Sequence, residues 1–229
     1  MYPPSSLGLA RLLQLASPTL PVGAFSYSQG LEAAVEAAVV HDAASAQCWI
    51  GDVLRHSIAH LEAPLWSRLV TAWTRADLEQ VYELNEFFLA SRETAELHAE
   101  TLQMGYSLVR LFSDLNEFAP ERIAQLASIN NITYPAAFTF AVAGWEIPLQ
   151  SALIAYLWSW LENQVMAAVK AVPLGQTDGQ RVLARMGAEL AAIATQSAAE
   201  EEGQLYSFAP GLAIASSRHE TQYSRLFRS

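Results

Sequence analysis

The chain has 229 residues and a formal net charge of -10, with 52% hydrophobic and 16% charged residues. The acidic balance argues against sequence-independent nucleic-acid binding, which needs clustered Lys and Arg, and against binding to an anionic membrane surface. The charged fraction is low for a soluble surface, which indicates that another protein covers part of it. The single cysteine fits a reducing compartment and the N-terminus lacks the basic region of a secretory signal, so we expect a cytoplasmic protein.

Apolar residues recur at helical spacing along most of the chain. The first helix is predicted at residues 7–16, capped by Ser5 or Ser6, and the second at residues 26–40. The third begins at Asp42 or Ser45 and is interrupted or restarted at Pro64. Further helices are predicted at residues 77–90, 94–111, 120–130, 134–145 and 148–172, and a last one begins at Thr177 or Asp178.

No stretch shows the alternating pattern and hairpin turns of a β-sheet, and no repeat of domain-building length is present. Residues 147–161 are apolar, but Glu162 ends the run before it reaches membrane-spanning length. After Ala199 the chain becomes acidic at residues 200–202 and then irregular. We therefore expect an all-α protein, with a single compact domain of about eight to ten helices at residues 1–216 and an irregular tail at residues 217–229.

The stretch from Ser17 to Glu32, called the Pro–Gly stretch below, is unlike the rest of the chain. Two prolines fix their own φ angles and push the preceding residues into extended conformations. A glycine then permits a tight or left-handed turn. The stretch is either a buried connection between helices or a rigid segment that also serves complex formation. The residues singled out in it are Ser17, Pro18, Pro21, Gly23, Phe25, Ser26 and Tyr27.

Motifs for catalysis are absent from the sequence. Residues 173–180 contain glycines before a helix but lack the Lys-Ser/Thr of a phosphate-binding loop, and no nucleophile elbow is present. His56 and His60, four residues apart, are weak candidates for a metal site, because surface or capping roles are commoner for such a pair. Glu93 and Glu96 are interpreted as solvated charges. The sequence therefore does not support an enzyme.

An alternative is a helical small-molecule-binding protein or enzyme with a pocket near Phe138 and Trp145, and near Trp158 and Trp160. These aromatic residues are explained more simply as core.

The tail is basic and aromatic on an otherwise acidic protein. Large apolar side chains such as Tyr223, Leu226 and Phe227 are unusual in a solvated terminus and, with arginines, are typical interface anchors. Two interpretations stay open at this point. The tail either folds against a partner protein or packs on its own domain.

Four blocks of the sequence together resemble the UreF family of urease accessory proteins. Residues 15–32 match that family's N-terminal signature nearly residue for residue. Arg92-Glu93-Thr94-Ala95-Glu96-Leu97, with Gln103-Met104-Gly105, resembles its middle segment. Lys170 and residues 173–181 resemble its third block, and residues 219–229 its C-terminus. The resemblance covers essentially the whole chain.

The resemblance implies a non-catalytic helical protein, without a cofactor of its own, that assists nickel insertion into apo-urease. It implies a homodimer that joins UreD (also called UreH) and recruits the GTPase UreG. Two mechanisms follow from it. The protein either regulates or couples GTP hydrolysis, or helps form a channel through which nickel passes transiently.

The resemblance also implies two partner surfaces on this chain. The residues expected to contact UreD are Tyr223, Arg225, Leu226, Phe227 and Arg228. The residues expected to face the GTPase are Glu32, Lys170, Gln176 and Asp178.

Overall fold

A computed structural model describes residues 3–199 and 204–229 of the chain, and the regular structure within them is helical. The predicted all-α class is confirmed. In chain order the helices are α1 (Ser6–Leu15), α2 (Leu31–Glu36), α3 (Ala43–Val53), a π-helical segment (Leu54–Glu62), α4 (Ala63–Thr74), α5 (Leu78–Ala90), α6 (Ala95–Leu115), α7 (Pro120–Ala127), α8 (Tyr134–Gly144), α9 (Leu149–Ala171), α10 (Gln176–Ala199) and α11 (Pro210–His219).

Polar side chains cap several of these helices at the predicted helix starts. Ser5, Asp42, Asp77 and Thr94 each accept a hydrogen bond from the backbone N–H three residues later, at 2.8 to 3.2 Å. Each bond satisfies one of the N–H groups that a helix start leaves without a partner. Local sequence therefore determines where α1, α3, α5 and α6 begin.

The core is centred on α8, which packs against both α4 and α6, while α9 packs against α10. Phe138, Phe140 and Val142 of α8 are fully buried. Their burial removes large apolar surfaces from water, at roughly 25 cal/mol per Å². In addition, α11 packs against α2 and α6, and α2 packs against α9. These four helices frame the candidate site.

The second helix is much shorter than the predicted residues 26–40, because α2 spans only Leu31–Glu36. Gln29 and Gly30 precede it with φ angles of +52° and +76°, and Ala38 follows it at +55°. These left-handed conformations cannot continue a right-handed helix. The Pro–Gly stretch therefore stays non-helical almost to its end, apart from one 3₁₀ turn at Ala24–Ser26.

The predicted break at Pro64 is replaced by the π-helical segment, which joins α3 to α4 without interruption. Pro64 has no N–H, so the carbonyl of His60 lacks the usual helical donor. The Tyr206 N–H donates to the His60 carbonyl at 3.3 Å, and the Phe208 N–H donates to the His56 carbonyl at 2.8 Å. A distant segment thus completes the hydrogen bonding of these widened turns.

The sequence predicted an irregular chain after Ala199, but α11 occupies Pro210–His219. Pro210 lies at the first turn of α11, where its missing N–H is tolerated. Residues 220–229 are non-helical. The acidic run at residues 200–202 lies outside the described residues. Among the described helices, none is both long enough and apolar enough to cross a membrane.

Candidate functional site

The end of the tail lies along the Pro–Gly stretch and is joined to it by backbone groups. The Arg228 N–H donates to the Ser26 carbonyl at 2.7 Å. The Ser28 N–H and the Ser28 hydroxyl both donate to the Ser229 carbonyl at 2.5 Å. Ser28 and Ser229 are completely buried. The two segments that the sequence singled out therefore form one structural unit.

The carboxylate of Glu32 holds the tail by its backbone. Its Oε1 accepts from the Leu226 N–H at 2.6 Å, and its Oε2 accepts from the Phe227 N–H at 2.9 Å. Charge-assisted bonds of this kind are stronger than bonds between neutral groups. Because they involve the main chain, these two bonds do not use the side chains of Leu226 and Phe227.

His219, the last residue of α11, bridges two carboxylates. Its Nδ1 lies 2.8 Å from Glu96 Oε2, and its Nε2 lies 3.1 Å from Glu32 Oε2. The His219 side chain has no exposed surface. Arg225 Nη1 donates to Glu96 Oε1 at 2.9 Å. A cluster of two acidic and two basic residues thus joins α2, α6, α11 and the tail.

Glu100 lies one turn after Glu96 on α6 and connects the tail to the Pro–Gly stretch. It accepts a hydrogen bond from Gln29 Nε2 at 2.8 Å and another from the Ser229 hydroxyl at 3.1 Å. Gln29 Oε1 in turn accepts from Trp160 Nε1 at 2.9 Å. Burial raises the pKa of Glu100 to about 7, because desolvation disfavours the charged carboxylate.

A cavity of about 70 Å³ lies between the Pro–Gly stretch, α6 and α9. This volume has room for a few water molecules. Pro18, Phe25 and Trp160 contribute apolar walls, and Glu62 and Glu100 contribute carboxyl groups. The Tyr156 hydroxyl donates to Glu62, and burial raises the pKa of Tyr156 well above its ordinary value.

The tail residues predicted to contact UreD differ in their exposure. Phe227 is buried, and Lys170 Nζ lies 5.7 Å from the centre of its ring. Tyr223 is fully exposed and Leu226 is 63% exposed. Arg225 and Arg228 are also on the surface. The tail thus packs on its own domain through Phe227 and Ser229, and it presents the other side chains to solvent.

The residues predicted to face the GTPase also separate into two groups. Lys170, Gln176 and Asp178 lie near the junction of α9 and α10 with accessible side chains, and Asp178 accepts from Arg181 at 2.8 Å. Glu32 differs from them, because its side chain is only 12% exposed and is bonded to His219 and the tail. In this structure Glu32 anchors the tail, and its expected part in the GTPase-facing surface stays a prediction.

The predicted residues of the Pro–Gly stretch have distinct roles in the structure. Tyr27 is buried, whereas Pro21 and Gly23 are exposed. Ser17, Pro18 and Phe25 line the cavity, and the Ser26 carbonyl binds the tail. The stretch therefore combines core packing with an exposed turn.

The weak metal candidates do not form a ligand set. His60 stacks on Tyr206 with 4.7 Å between ring centres, and His56 is exposed. Within residues 3–199 and 204–229, no group of three His, Cys, Asp or Glu side chains is placed to hold a metal ion.

The alternative pocket is only partly matched by the structure. Phe138 is fully buried and Trp145 nearly so, which makes this part of α8 core. Trp158 is partly exposed, and Trp160 lines the cavity under the Pro–Gly stretch. Neither Phe138 nor Trp145 lines this cavity, but Tyr134 and Tyr156 do, and their rings pack on Phe138.

Several residues of the site, His219 among them, were missed or misread from the sequence. Glu96 was interpreted as a solvated charge, which is wrong, because its side chain is 12% exposed and bonded to His219 and Arg225. Gln29 and Glu100 were not singled out. The available signal was the spacing of Glu96 and Glu100, which places two carboxylates on the same face of α6, near the buried Leu97 and Met104.

Comparisons with known proteins agree over nearly the whole chain. A sequence model of the UreF family matches residues 40–187. The urease accessory protein UreF of Azoarcus sp. (strain BH72) is 60% identical over 225 residues, covering 97% of this chain and 96% of that protein. UreF of Dechloromonas aromatica (strain RCB) is 52% identical over 224 residues, covering 97% of this chain and 98% of that protein.

The bifunctional urease accessory protein UreEF of Bordetella bronchiseptica is 50% identical over 224 residues, covering 96% of this chain and 52% of that protein. Matches of this identity and extent, together with the all-α fold, show the family. The chain belongs to the UreF family, and its role is that of an accessory protein in urease maturation.

Proposed function

We propose that the chain is a non-catalytic scaffold that joins a UreD-type (UreH-type) partner through its tail and recruits the UreG GTPase through a separate surface. Together they assist nickel insertion into apo-urease. The observation that supports this most is the docked tail. Phe227 and the backbone are held by the domain, while Tyr223 and Leu226 stay exposed.

The docked tail is suited to binding because it presents its exposed side chains in a fixed arrangement. A segment that is already fixed loses less conformational entropy on binding than a disordered one. Tyr223 and Leu226 supply exposed apolar surface, and Arg225 and Arg228 lie beside them in the chain. Aromatic residues and arginine are enriched at the energetic centres of protein interfaces.

The proposed GTPase surface consists of Lys170, Gln176 and Asp178. Lys170 contacts Phe227, so this surface adjoins the tail. By binding the GTPase at this surface, the chain holds it in one nucleotide state only when its affinities for the GTP-bound and GDP-bound forms differ. In this proposal nickel is the cargo of the assembly, and this chain positions the proteins that exchange it. Homodimerisation is a further part of the proposal, tested by the mass of the purified protein in solution.

The test is the double substitution Tyr223→Ser with Leu226→Ser, which removes exposed apolar surface but leaves Phe227 in place. We expect at least about a tenfold loss of affinity for a UreD-type partner, because each side chain is expected to anchor the interface. The measurements are co-purification with UreD and UreG and the nickel-dependent activity of co-expressed urease.

The matched control is Tyr106→Ser on α6, which removes an exposed aromatic side chain outside the tail; its exposure, 62%, is close to the 63% of Leu226. Thermal unfolding of both variants should match that of the wild type. Full partner binding by the double variant at normal stability would contradict the proposed role of the tail. Deleting the whole tail is a poorer test, because it also removes the buried Phe227.

A further inference from the structure

An open groove beside α5 is not part of the site described above. It has a volume of about 430 Å³ and lies between α4, α5 and residues 204–205. Leu84, Phe87 and Leu205 line it with apolar surface, and Glu83 contributes a carboxylate. A volume of this size has room for several side chains of a binding partner. We call it the α5 groove.

The α5 wall of the groove is fixed by polar contacts to the chain between α7 and α8. Asn85 is completely buried; its Nδ2 donates to the Asn131 carbonyl at 3.2 Å, and its Oδ1 accepts from the Thr133 N–H at 2.8 Å. The Tyr82 hydroxyl donates to the Ser128 carbonyl at 3.0 Å. The exposed side chains of α5 are therefore presented in a set orientation.

The wall formed by residues 204–205 is fixed as well. Leu205 packs against the core, and the next residue, Tyr206, donates its N–H to the His60 carbonyl and stacks its ring on the His60 ring. The Phe208 N–H donates to the His56 carbonyl at 2.8 Å. Because both walls are held in place, a partner that enters the groove loses little entropy in ordering it.

The exposed face of α5 carries an excess of negative charge. Glu79, Glu83 and Glu86 are exposed and lie four and three residues apart, a spacing at which like charges on a helix repel each other. Residues 78–90 contain no Lys or Arg. The groove lining adds the guanidinium of Arg68, which offsets only part of this charge. Phe87 is 46% exposed beside these carboxylates.

An apolar groove beside unbalanced carboxylates is complementary to a basic amphipathic helix. Such a helix lays apolar side chains three and four residues apart into a groove, and its flanking Lys or Arg side chains meet the acidic residues. We propose that the α5 groove docks an amphipathic helix of another protein that carries Lys or Arg beside its apolar face. This goes beyond the scaffold function above, because it adds a surface separate from the tail and from Lys170, Gln176 and Asp178.

The first test uses the full chain and a synthetic helical peptide of about 18 residues, with Leu on one face and Lys beside it. We expect NMR shift changes at Glu83, Phe87 and Leu205 when the peptide binds. Phe87→Ser and Glu83→Lys should each weaken binding at least about tenfold, because they remove an aromatic anchor and reverse a complementary charge. A peptide of the same composition in scrambled order should bind weakly to all variants.

The matched control for charge is Asp114→Lys, which reverses an exposed carboxylate near the end of α6. It changes the net charge as much as Glu83→Lys does, and it should leave peptide affinity within about twofold of the wild type. Equal losses in the two variants, or shift changes outside the groove, would overturn the proposal, since the attraction would then reflect net charge alone.

A second test identifies the occupant in cells that produce the urease accessory proteins and urease. A photoreactive amino acid replaces Phe87 in one variant and the exposed Tyr106 of α6 in another. We expect the first variant to cross-link to a Lys- or Arg-bearing amphipathic segment of another protein, and the second variant not to. Cross-links at position 87 only to a second copy of this chain, or none at all, would contradict the proposal. The Tyr223 and Leu226 test is separate, so either result stands without the other.

Discussion

Glu100 is a carboxyl group whose environment makes the stability of the protein depend on pH. Burial raises its pKa from 4.5 to about 7, so the folded state binds this proton more tightly than the unfolded chain does. The stabilisation is complete below pH 4.5 and is lost as the pH rises through about 7.

We predict that Glu100→Gln removes this pH dependence. Glutamine keeps an acceptor for Gln29 and is neutral throughout. Between pH 4.5 and 7.5, the free energy of unfolding of the wild type should fall by as much as about 3 kcal/mol relative to the variant. Chemical denaturation at a series of pH values measures the difference.

Glu93→Gln is the matched control, because Glu93 is exposed near the start of the same helix. Its stability should follow the wild-type curve. Parallel curves for the wild type and Glu100→Gln would show that Glu100 is not the titrating group.

Single residues of the site were predictable only in part. Ser5 and Asp42 were each one of two predicted helix starts, because a cap depends on neighbours three residues away. Glu96 was misread because its partner His219 is 123 residues away in the chain, and no local pattern reveals such a contact. An acidic side chain on a helix looks solvated until the element that covers it is known.

Two glycines of the Pro–Gly stretch differ in how closely other parts of the protein approach them. Gly23 and Gly30 have φ angles of +80° and +76°. A Cβ on Gly23 would meet no atom within 4 Å, whereas a Cβ on Gly30 would lie 2.7 Å from the backbone nitrogen of Ser216. The close packing of α2 on α11 therefore requires glycine at position 30.

We predict that Gly30→Ala lowers the free energy of unfolding by about 2–4 kcal/mol, since it adds a clash with the backbone to an unfavourable φ. Gly23→Ala is the matched control and should lower it by only about 1 kcal/mol, the cost of the left-handed conformation alone. Urea denaturation of the two variants provides the comparison. Equal losses would mean that α2 and α11 separate at little cost.

Elements with strong periodicity or buried apolar faces were predicted well, whereas α2 and α11 were not. The predicted segments at residues 134–145 and 148–172 correspond to α8 and α9. The predicted range of the second helix was too long, because only the left-handed backbone at Gln29 and Gly30 shows where α2 starts. α11 was missed because its pattern of alanine, serine and glycine lacks a clear apolar face, and its packing on α2 and α6 supplies the stability instead.

The molecule as a whole should open from the tail before it unfolds. The tail is held by a small set of hydrogen bonds and one buried aromatic ring, and several of its residues are exposed. We predict that Leu226–Arg228 amides exchange with a free energy at least about 2 kcal/mol below that of Phe138–Val142 amides in α8. Native-state hydrogen exchange at neutral pH measures both, and equal values would show that the tail unfolds only with the core.

The overall class and the two conspicuous segments were thus accessible from the sequence. Their union into one site was not, because proximity in space between residues 26–32 and residues 225–229 depends on how all intervening helices pack. The resemblance between the blocks and a family supplied the functional expectation. The structure shows how these blocks contact one another.

The pairing of Ser28 with Ser229 also bears on how the protein is made. These residues are 201 positions apart, so the Pro–Gly stretch leaves the ribosome long before the segment that completes it. Until then, the Ser28 N–H and the Glu32 carboxylate lack their tail partners. A partner that recognises the stretch and the tail together therefore distinguishes chains synthesised through Ser229 from shorter nascent ones.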